Sequence, residues 1–283
     1  LEGERARAAQ AQAGFARAVT GIGELFAPGA APLDALIVVL PIPAMRRELP
    51  PLFARGLPLL IEKPLGASLE EAEALWRAAA SADMTDRVMV SLNRRHDPGL
   101  ACAQAWLRGQ PPVRYIRAAM YRSARHEASF CWGTGVHVLD ALQHLAGPLT
   151  LRAVLCPGGQ APDAARVALL QGRDGIDAVF EMLPTAGEWD ESFRLVGDGY
   201  QVDVHTGALP PWRVRAVRDL TLALETAAPA DEPTCVANGT CAETAAFLDA
   251  VVDGRPLPPA TLADALASSR LAAAVEAGLG ERR

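Results

Sequence analysis

Lysine is almost absent from this chain of 283 residues: 26 of its 27 basic residues are arginine, and the single lysine is Lys63. Arginine and lysine serve equally well on most solvated surfaces. They differ where a proton must be released or a compact ammonium is needed, because arginine stays protonated in proteins and its guanidinium is a planar fork. Lys63 is therefore the first candidate for a functional group.

Three further absences exclude whole classes of protein. The longest apolar run, residues 36–43, is interrupted by prolines and is far shorter than the roughly 20 residues of a membrane helix. The formal net charge of −6 gives no basic surface for nucleic acid or an anionic membrane. The five cysteines are widely spaced and form no C-x-x-C pair, so neither a metal site nor a disulfide framework is expected. With no recognisable signal peptide, this usage predicts a cytoplasmic protein.

The first third of the chain alternates strictly between helix-like and strand-like segments. The predicted strands cover residues 18–20, 34–40, 58–61 and 88–92, and the predicted helices cover 2–13, 44–55 and a segment that begins at Ser68 with a capping box to Glu71. Residues 34–40 (DALIVVL) are typical of a parallel strand that helices cover on both faces. The alternation predicts a Rossmann-type, doubly wound α/β domain over residues 1–93.

After Asn93 the pattern changes to consecutive strand-like segments. These cover residues 113–123, 151–156, 166–171, 176–183, 192–196 and 201–205, and helices are predicted over 97–108, 135–145, 240–252 and 261–278. Strands without intervening helices favour antiparallel pairing. We therefore expect a second α/β domain over residues 94–283, with a large, mostly antiparallel sheet flanked by helices.

The segment around Lys63 is the first candidate site. Glu62, Lys63 and Pro64 directly follow a predicted parallel strand. Open α/β sheets bind ligands in the crevice beyond the carboxyl ends of such strands. The proline also keeps Lys63 out of the helical region, which leaves its backbone extended at the strand end.

The second candidate site is a glycine-rich segment that leads into a predicted helix. Gly133 and Gly135 allow close backbone approach, and His137 and Asp140 share one face of the helix that follows. A histidine held by a nearby carboxylate is a general acid or base near neutral pH. We expect Asp140 to orient His137 in this way.

Five segments occur in an order and at a spacing that resembles the Gfo/Idh/MocA oxidoreductases, the family of glucose–fructose oxidoreductase and inositol dehydrogenase. They are DALIVVLP from residue 34, EKP from residue 62, SLNRRHDP from residue 91, GTGVHVLDALQHLAGP from residue 133 and AAFLDAVVDGRPLPP from residue 245. Together they extend over nearly the whole chain.

The resemblance implies an NAD(P)-dependent oxidoreductase that acts on a sugar, a polyol or a related carbonyl compound, with Lys63 and His137 as its catalytic residues. In members that oxidise a polyol, the histidine takes the hydroxyl proton while hydride passes from the same carbon to C4 of the nicotinamide. The lysine polarises the oxygen. No metal is implied.

Further site residues follow from the resemblance and from the neighbouring sequence. NAD or NADP is expected to contact Leu40, Pro41, Glu62, Lys63 and Pro64. The small-molecule substrate is expected to meet Arg95, Tyr121, Arg122, Trp132, His137 and Asp140: the arginines as a clamp for an anion and Trp132 as a stacking surface. The more ordinary alternatives are a solvated arginine rim and a buried aromatic residue. The resemblance also implies a homodimer or homotetramer built through the C-terminal sheet.

Three departures from the family pattern leave a second interpretation open. The chain has no GxGxxG motif, since Gly21-Ile-Gly23 lacks the third glycine; Gly133 stands where many members have Asp; and Leu40 replaces the threonine before proline. One hypothesis is that roughly thirty residues, about one βαβ unit, precede Leu1, because the first strand of such a sheet lies at its centre. The alternative is a catalytically silent member that acts as a binding or scaffold protein without a cofactor.

Overall fold

Three parallel strands form the smaller of two sheets in the computed structural model, which describes residues 3–159, 161, 163–172, 175–208 and 211–278. The elements of this part are α1 (Gly3–Ala13), β1 (Leu36–Val38), α2 (Ile42–Phe53), β2 (Leu59–Ile61), α3 (Leu69–Ser81) and β3 (Val88–Val90). The strands lie in the order β1-β2-β3. The predicted α/β alternation is confirmed, whereas residues 18–20 form no strand.

The edge strand β1 differs from its prediction. It pairs only with β2 among the described residues, and it is three residues long because Pro41 already caps helix α2. Ile37 is 48% exposed and Val39 is 71% exposed. The expectation that this segment is covered on both faces is therefore wrong for the described residues, whereas β2 and β3 are buried throughout.

The start of α3 is also simpler than predicted. Ser68 Oγ accepts a hydrogen bond from the Glu71 amide, as a capping residue does. The Glu71 carboxylate, however, accepts from the amide of Ala67 rather than from that of Ser68. Only half of the expected capping box forms.

The larger sheet has eight strands in the order β11-β10-β9-β8-β4-β7-β6-β5. Its elements are α4 (Pro98–Leu107), β4 (Val113–Tyr121), α5 (Val136–Ala146), β5 (Thr150–Leu155), β6 (Arg166–Gln171), β7 (Asp177–Leu183), β8 (Asp190–Gly197), β9 (Tyr200–His205), β10 (Arg213–Arg218) and β11 (Thr221–Ala227). All neighbouring strands are antiparallel except β4 and β7. The predicted architecture is confirmed, with β10 and β11 as strands that were not predicted.

Side-chain alternation gives the large sheet two unlike faces. On one face, residues such as Ile116, Phe180 and Phe193 are fully buried in a core that also includes residues of α4 and α5. The opposite face, called here the outer face, carries charged pairs such as Arg194 and Asp203.

The C-terminal helices α6 (Thr234–Ala237), α7 (Thr240–Val252) and α8 (Leu262–Glu276) return to the small sheet. The amide of Val90 donates to the carbonyl of Ala260, and Phe247 and Leu262 are buried in the core around β2. The predicted division of domains at residue 93 stays a prediction. Within the described part of the chain, no helix combines the length and apolar character that crossing a membrane requires.

Candidate functional site

The carboxyl ends of the three parallel strands meet at one edge of the small sheet. The amide of Glu62 donates to the carbonyl of Val38, and that of Ser91 donates to the carbonyl of Ile61. Leu40 and Pro41 follow β1, and the segment Glu62-Lys63-Pro64 follows β2. The five residues predicted to contact a cofactor therefore lie on neighbouring strand ends, where open α/β sheets bind their ligands.

Two hydrogen bonds join the loop after β2 to the glycine-rich segment. Lys63 Nζ donates to the carbonyl oxygen of Gly133 at 2.7 Å, and Trp132 Nε1 donates to the carbonyl oxygen of Gly66 at 2.9 Å. Residues Cys131–Gly135 form a π-helical turn directly before α5, and such turns occur frequently at functional sites. The two candidate segments, far apart in sequence, thus form one site.

Lys63 is half-buried among charges of both signs. Burial makes the largest contribution and lowers the pKa of its ammonium. The guanidiniums of Arg94 and Arg125 lower this pKa further, whereas the carboxylates of Glu62 and Glu191 raise it. A lysine whose pKa is lowered can exchange a proton with a ligand at lower pH than a solvated one. Arginine cannot release its proton in this way. This difference explains why position 63 holds lysine in a chain whose other basic residues are arginine.

His137 lies in the first turn of α5, in surroundings that favour the neutral imidazole. Burial holds its pKa well below the ordinary value, and the positive charges of Lys63, Arg94 and Arg122 act in the same direction. Its Nδ1 atom is buried and has no hydrogen-bond partner among the described residues. The influence of Lys63 on this pKa indicates that the two predicted catalytic residues are close together.

The expected pairing of His137 with Asp140 is wrong. Asp140 is fully buried, and its carboxylate accepts hydrogen bonds from Arg95 Nε and Nη2, both at 2.7 Å, and from Ser268 Oγ at 2.8 Å. Arg95 is thereby held in a bidentate pair inside the protein, and its side chain is only 7% exposed. Both residues were predicted to contact substrate, yet their polar groups bind protein partners instead.

Arg122 is likewise held within the protein. Glu191 is buried between two arginines and accepts hydrogen bonds from Arg94 and Arg122. Burial alone would raise the pKa of Glu191, but the two guanidiniums outweigh it and lower the pKa to about 2. The guanidinium of Arg122, which was expected to bind a substrate anion, is therefore already paired with a carboxylate of the chain itself.

The two aromatic candidates also have structural partners. Trp132 is 4% exposed, so the surface expected to stack on a substrate is buried. Its indole nitrogen donates to the carbonyl oxygen of Gly66 in the loop after β2. Tyr121 lies on the outer face, where its hydroxyl donates to Glu181 and accepts from Arg117 Nη2. Burial and this carboxylate raise the pKa of Tyr121 to about 12. Because side chains alternate between the two faces along β4, Tyr121 lies on the face opposite to the one that helices cover.

Two buried carboxylates at the site were not predicted, although the sequence pattern contains both. Glu191 alternates with the buried residues Phe193 and Leu195 along β8, and Glu243 precedes the buried Phe247 by four residues along α7. An acidic residue in an apolar position of a regular pattern indicates a buried partner. This pattern in the sequence could have identified Glu191 and Glu243 as buried carboxylates.

Glu243 borders a small cavity at the strand ends. The cavity has a volume of about 100 Å³ and is lined in part by Val39, Ile61, Glu62 and Ser91. Ser91 Oγ donates to Glu243 Oε2 at 2.7 Å, whereas Oε1 is buried without a partner among the described residues. Burial and the nearby charge of Glu62 raise the pKa of Glu243 to about 7. This orphaned oxygen can accept a hydrogen bond from a ligand.

No family model matches the chain, and no curated protein matches it. A Gfo/Idh/MocA family oxidoreductase from Vibrio cholerae matches with a TM-score of 0.77 at 19% identity, covering 97% of this chain and 86% of that one. The chain has the fold of these oxidoreductases.

Two further solved structures share this fold. An oxidoreductase from Agrobacterium radiobacter in complex with NAD⁺, L-tartaric acid and magnesium matches with a TM-score of 0.75 at 18% identity, covering 99% of this chain and 87% of that one. A 3-ketoreductase from Actinomadura kijaniata in complex with NADP and TDP-benzene matches with a TM-score of 0.71 at 20% identity, covering 97% of this chain and 86% of that one. At these identities the likeness concerns the fold.

Proposed function

We propose that this chain is an NAD(P)-dependent oxidoreductase of the Gfo/Idh/MocA family that interconverts a hydroxyl and a carbonyl group on a sugar, a polyol or a related small molecule. The observation that carries the proposal is the hydrogen bond from Lys63 to Gly133, because it brings the only lysine to the turn that precedes His137. The fold shared with cofactor-bound oxidoreductases supports it.

The residues at the strand ends fit the nicotinamide end of NAD or NADP. Leu40 and Pro41 offer apolar surface for a flat ring, and Glu62, Lys63 and Pro64 lie on the neighbouring strand end. The orphaned Glu243 Oε1 beside the cavity is an acceptor for a carboxamide or ribose donor. When bound, the nicotinamide gives hydride to, or takes it from, the carbon that carries the reacting oxygen.

Lys63 has two tasks in the proposed reaction. Its ammonium donates a hydrogen bond to the substrate oxygen and stabilises the negative charge that develops there as hydride moves. Only one proton moves with each hydride, and because burial lowers the pKa of Nζ, Lys63 relays that proton between the substrate oxygen and His137 and ends each transfer as an ammonium. Gly133 fixes the position of Nζ through a neutral carbonyl that leaves the charge of the ammonium intact.

His137 completes the site as the neutral partner of Lys63. Its ring exchanges a proton with the substrate hydroxyl by way of Lys63, and two buried arginines disfavour the imidazolium form. The protonated form of His137 is therefore short-lived in the proposed reaction. Arg94 and Arg122, which Glu191 holds in place, act through the electrostatic potential at this ring and bind no substrate in the proposal.

We also propose assembly into a homodimer or homotetramer through the outer face. This face bears a cavity of about 600 Å³ that is lined by charged residues of five strands, including Arg194, Asp203, Arg213 and Glu225. Leu169 and Leu222 add exposed apolar surface. Sedimentation equilibrium on the purified chain tests this assembly, and a monomer at all concentrations would contradict it.

One observation favours the second candidate function, a binding or scaffold protein without catalysis. General bases of the histidine type are usually oriented by a hydrogen bond at the second ring nitrogen, and Nδ1 of His137 has no such partner among the described residues. Cofactor binding separates the two candidates because a cofactor-free scaffold binds neither dinucleotide.

Calorimetric titration of the purified chain with NADH and with NADPH tests the proposal. We expect saturable binding of at least one of them, weakened several-fold by Leu40→Ala. The matched control is Leu155→Ala, which removes an exposed leucine from the large sheet. Binding of neither dinucleotide would reject the enzyme and support the scaffold.

A further inference from the structure

Arg125 is more exposed than the other three arginines of the site. The guanidiniums of Arg94, Arg95 and Arg122 are buried in pairs with carboxylates of the chain. The side chain of Arg125, by contrast, is 33% exposed, and it pairs with Glu127, whose side chain is 39% exposed. Water and salt weaken such exposed ion pairs. Another anion can therefore take the place of Glu127 with little loss of stability.

Arg125 contacts the same turn that Lys63 contacts. Arg125 Nη2 donates to Thr134 Oγ1 at 3.4 Å, and Lys63 Nζ donates to the carbonyl oxygen of Gly133, the preceding residue. The two cations thus bind consecutive residues of the turn that leads into α5, where His137 lies. Lys63, Thr134 and Arg125 are each partly exposed, so solvent reaches this turn. A small molecule whose reacting oxygen binds Lys63 is therefore close to Arg125.

Groups other than Glu127 also hold Arg125 in position. Its Cζ atom lies 5.1 Å from the centre of the Phe130 ring, which is fully buried. The backbone amide of Arg125 donates to the carbonyl oxygen of Pro184, directly after β7. A cation that is already in place loses little conformational freedom when a ligand binds it. Departure of Glu127 would therefore leave the guanidinium ready for another anion.

The charge of Arg125 also acts on Lys63. Arg125 is one of the two arginines that lower the pKa of this lysine, which agrees with the contacts of both side chains to one turn. An anion bound at Arg125 would offset the positive charge of the guanidinium. The charge of a bound molecule is thus coupled to the protonation of Lys63.

We propose that Arg125 selects substrates that carry an anionic group, either a carboxylate or a phosphate, besides the reacting hydroxyl or carbonyl. The inference rests on the proposed oxidoreductase function and narrows its substrate class to acidic sugars, sugar phosphates and related anions. In the free chain Glu127 pairs with the guanidinium, and the substrate anion displaces it. A guanidinium suits this exchange because its planar fork binds two oxygens of a carboxylate or a phosphate at once.

The test uses three compounds that differ only at one carbon: glucose, glucuronate, and the ester of phosphate with the primary hydroxyl of glucose. Each is titrated calorimetrically into the purified chain, alone and with saturating NADH or NADPH. We expect at least one of the two anions to bind at least about tenfold more tightly than glucose, and added sodium chloride to reduce the difference. Which anion binds more tightly distinguishes a carboxylate site from a phosphate site. Binding of neither anion, or equal binding of all three compounds, would overturn the proposal.

Two substitutions should move the preference for the anion in opposite directions. Arg125→Gln removes the cation, and we expect it to abolish most of the roughly tenfold preference over glucose. Glu127→Gln removes the competing carboxylate and should tighten binding of the anion several-fold. The matched control is Arg114→Gln, which removes an exposed arginine of β4 and should leave the preference in place. A preference that survives Arg125→Gln, or weaker anion binding in Glu127→Gln, would overturn the role of Arg125.

Failure of this inference and failure of the proposed function give different results. If the wild-type chain binds a dinucleotide and turns over neutral sugars in preference to anionic ones, the role of Arg125 is overturned and the oxidoreductase stands. If neither dinucleotide binds, the oxidoreductase is rejected, and the titrations of the chain alone still measure whether Arg125 selects an anion.

Discussion

Lys63 Nζ lies 2.7 Å from the carbonyl oxygen of Gly133, 70 residues further along the chain. The acceptor is a backbone atom of a π-helical turn, so the contact depends on the path of the chain and on no particular side chain at position 133. The lysine is thus held by a neutral backbone group, close to the buried guanidinium of Arg94 and to His137.

Gly133→Asp should fold normally and raise the pKa of Lys63. A Cβ at this position meets no atom within 4 Å, so we expect the free energy of unfolding to change by less than about 0.5 kcal/mol. A carboxylate beside an ammonium favours its charged form. The limb of the pH–rate profile that reports Lys63 should therefore move to higher pH. Gly133→Asn, which adds a similar volume without charge, should leave that limb in place; an equal shift in both variants would refute the electrostatic explanation.

Glu191→Gln should destabilise the fold strongly. The substitution leaves the guanidiniums of Arg94 and Arg122 buried without their shared carboxylate. Loss of one member of a buried charge network costs about 3–5 kcal/mol, and urea unfolding measures it. The exposed pair of Arg114 and Asp198 offers a control, since Asp198→Asn should cost no more than about 1 kcal/mol.

The stabilising effect of Glu191 should also disappear in acid. Its pKa is about 2 in the folded chain against an ordinary value of 4.5, so its contribution is fully present above pH 4.5 and is lost as the pH falls through 2. The difference in unfolding free energy between wild type and Glu191→Gln should shrink over that range. A difference that stays constant down to pH 2.5 would show that Glu191 is not the titrating group.

Glu243→Gln should stabilise the chain at alkaline pH. Glu243 has a pKa of about 7 when folded against an ordinary 4.5, so the folded state holds its proton longer and stability falls as the pH rises from 4.5 through 7. Above pH 8 the glutamine variant should exceed wild type by something on the order of 3 kcal/mol, and at pH 4 the two should be alike. Glu70→Gln on α3 is the surface control. Thermal unfolding across this pH range checks the sign.

Much of the fold could be predicted because local patterns determine it. The predicted strand 166–171 is β6 itself, and the predicted helix 240–252 is α7. Strand β10 was missed even though Arg213, Arg215 and Arg218 mark its exposed positions around buried Val214 and Ala216. Its apolar positions are few and small, which makes the alternation weak.

The site could be predicted only where a motif follows a strand. Glu62-Lys63-Pro64 lies where the sequence placed it, because the carboxyl ends of parallel strands share one edge. The partner of Asp140 could not be predicted in this way. Arg95 is 45 residues away, and a helical spacing of three to His137 suggested a nearer partner. Spacing along a helix identifies a shared face, whereas burial and charge decide which partner a carboxylate takes.

Replacement of Lys63 by arginine tests the central claim most directly. Arg114→Lys is the matched control because it exchanges the same two residue types at an exposed position. With a substrate identified from a panel of sugars, polyols and sugar nucleotides, turnover is followed by the absorbance of the reduced nicotinamide. We predict that Lys63→Arg and Lys63→Ala lose at least about 100-fold in kcat while dinucleotide binding persists, and that Arg114→Lys retains activity. Wild-type turnover in Lys63→Arg would contradict the account.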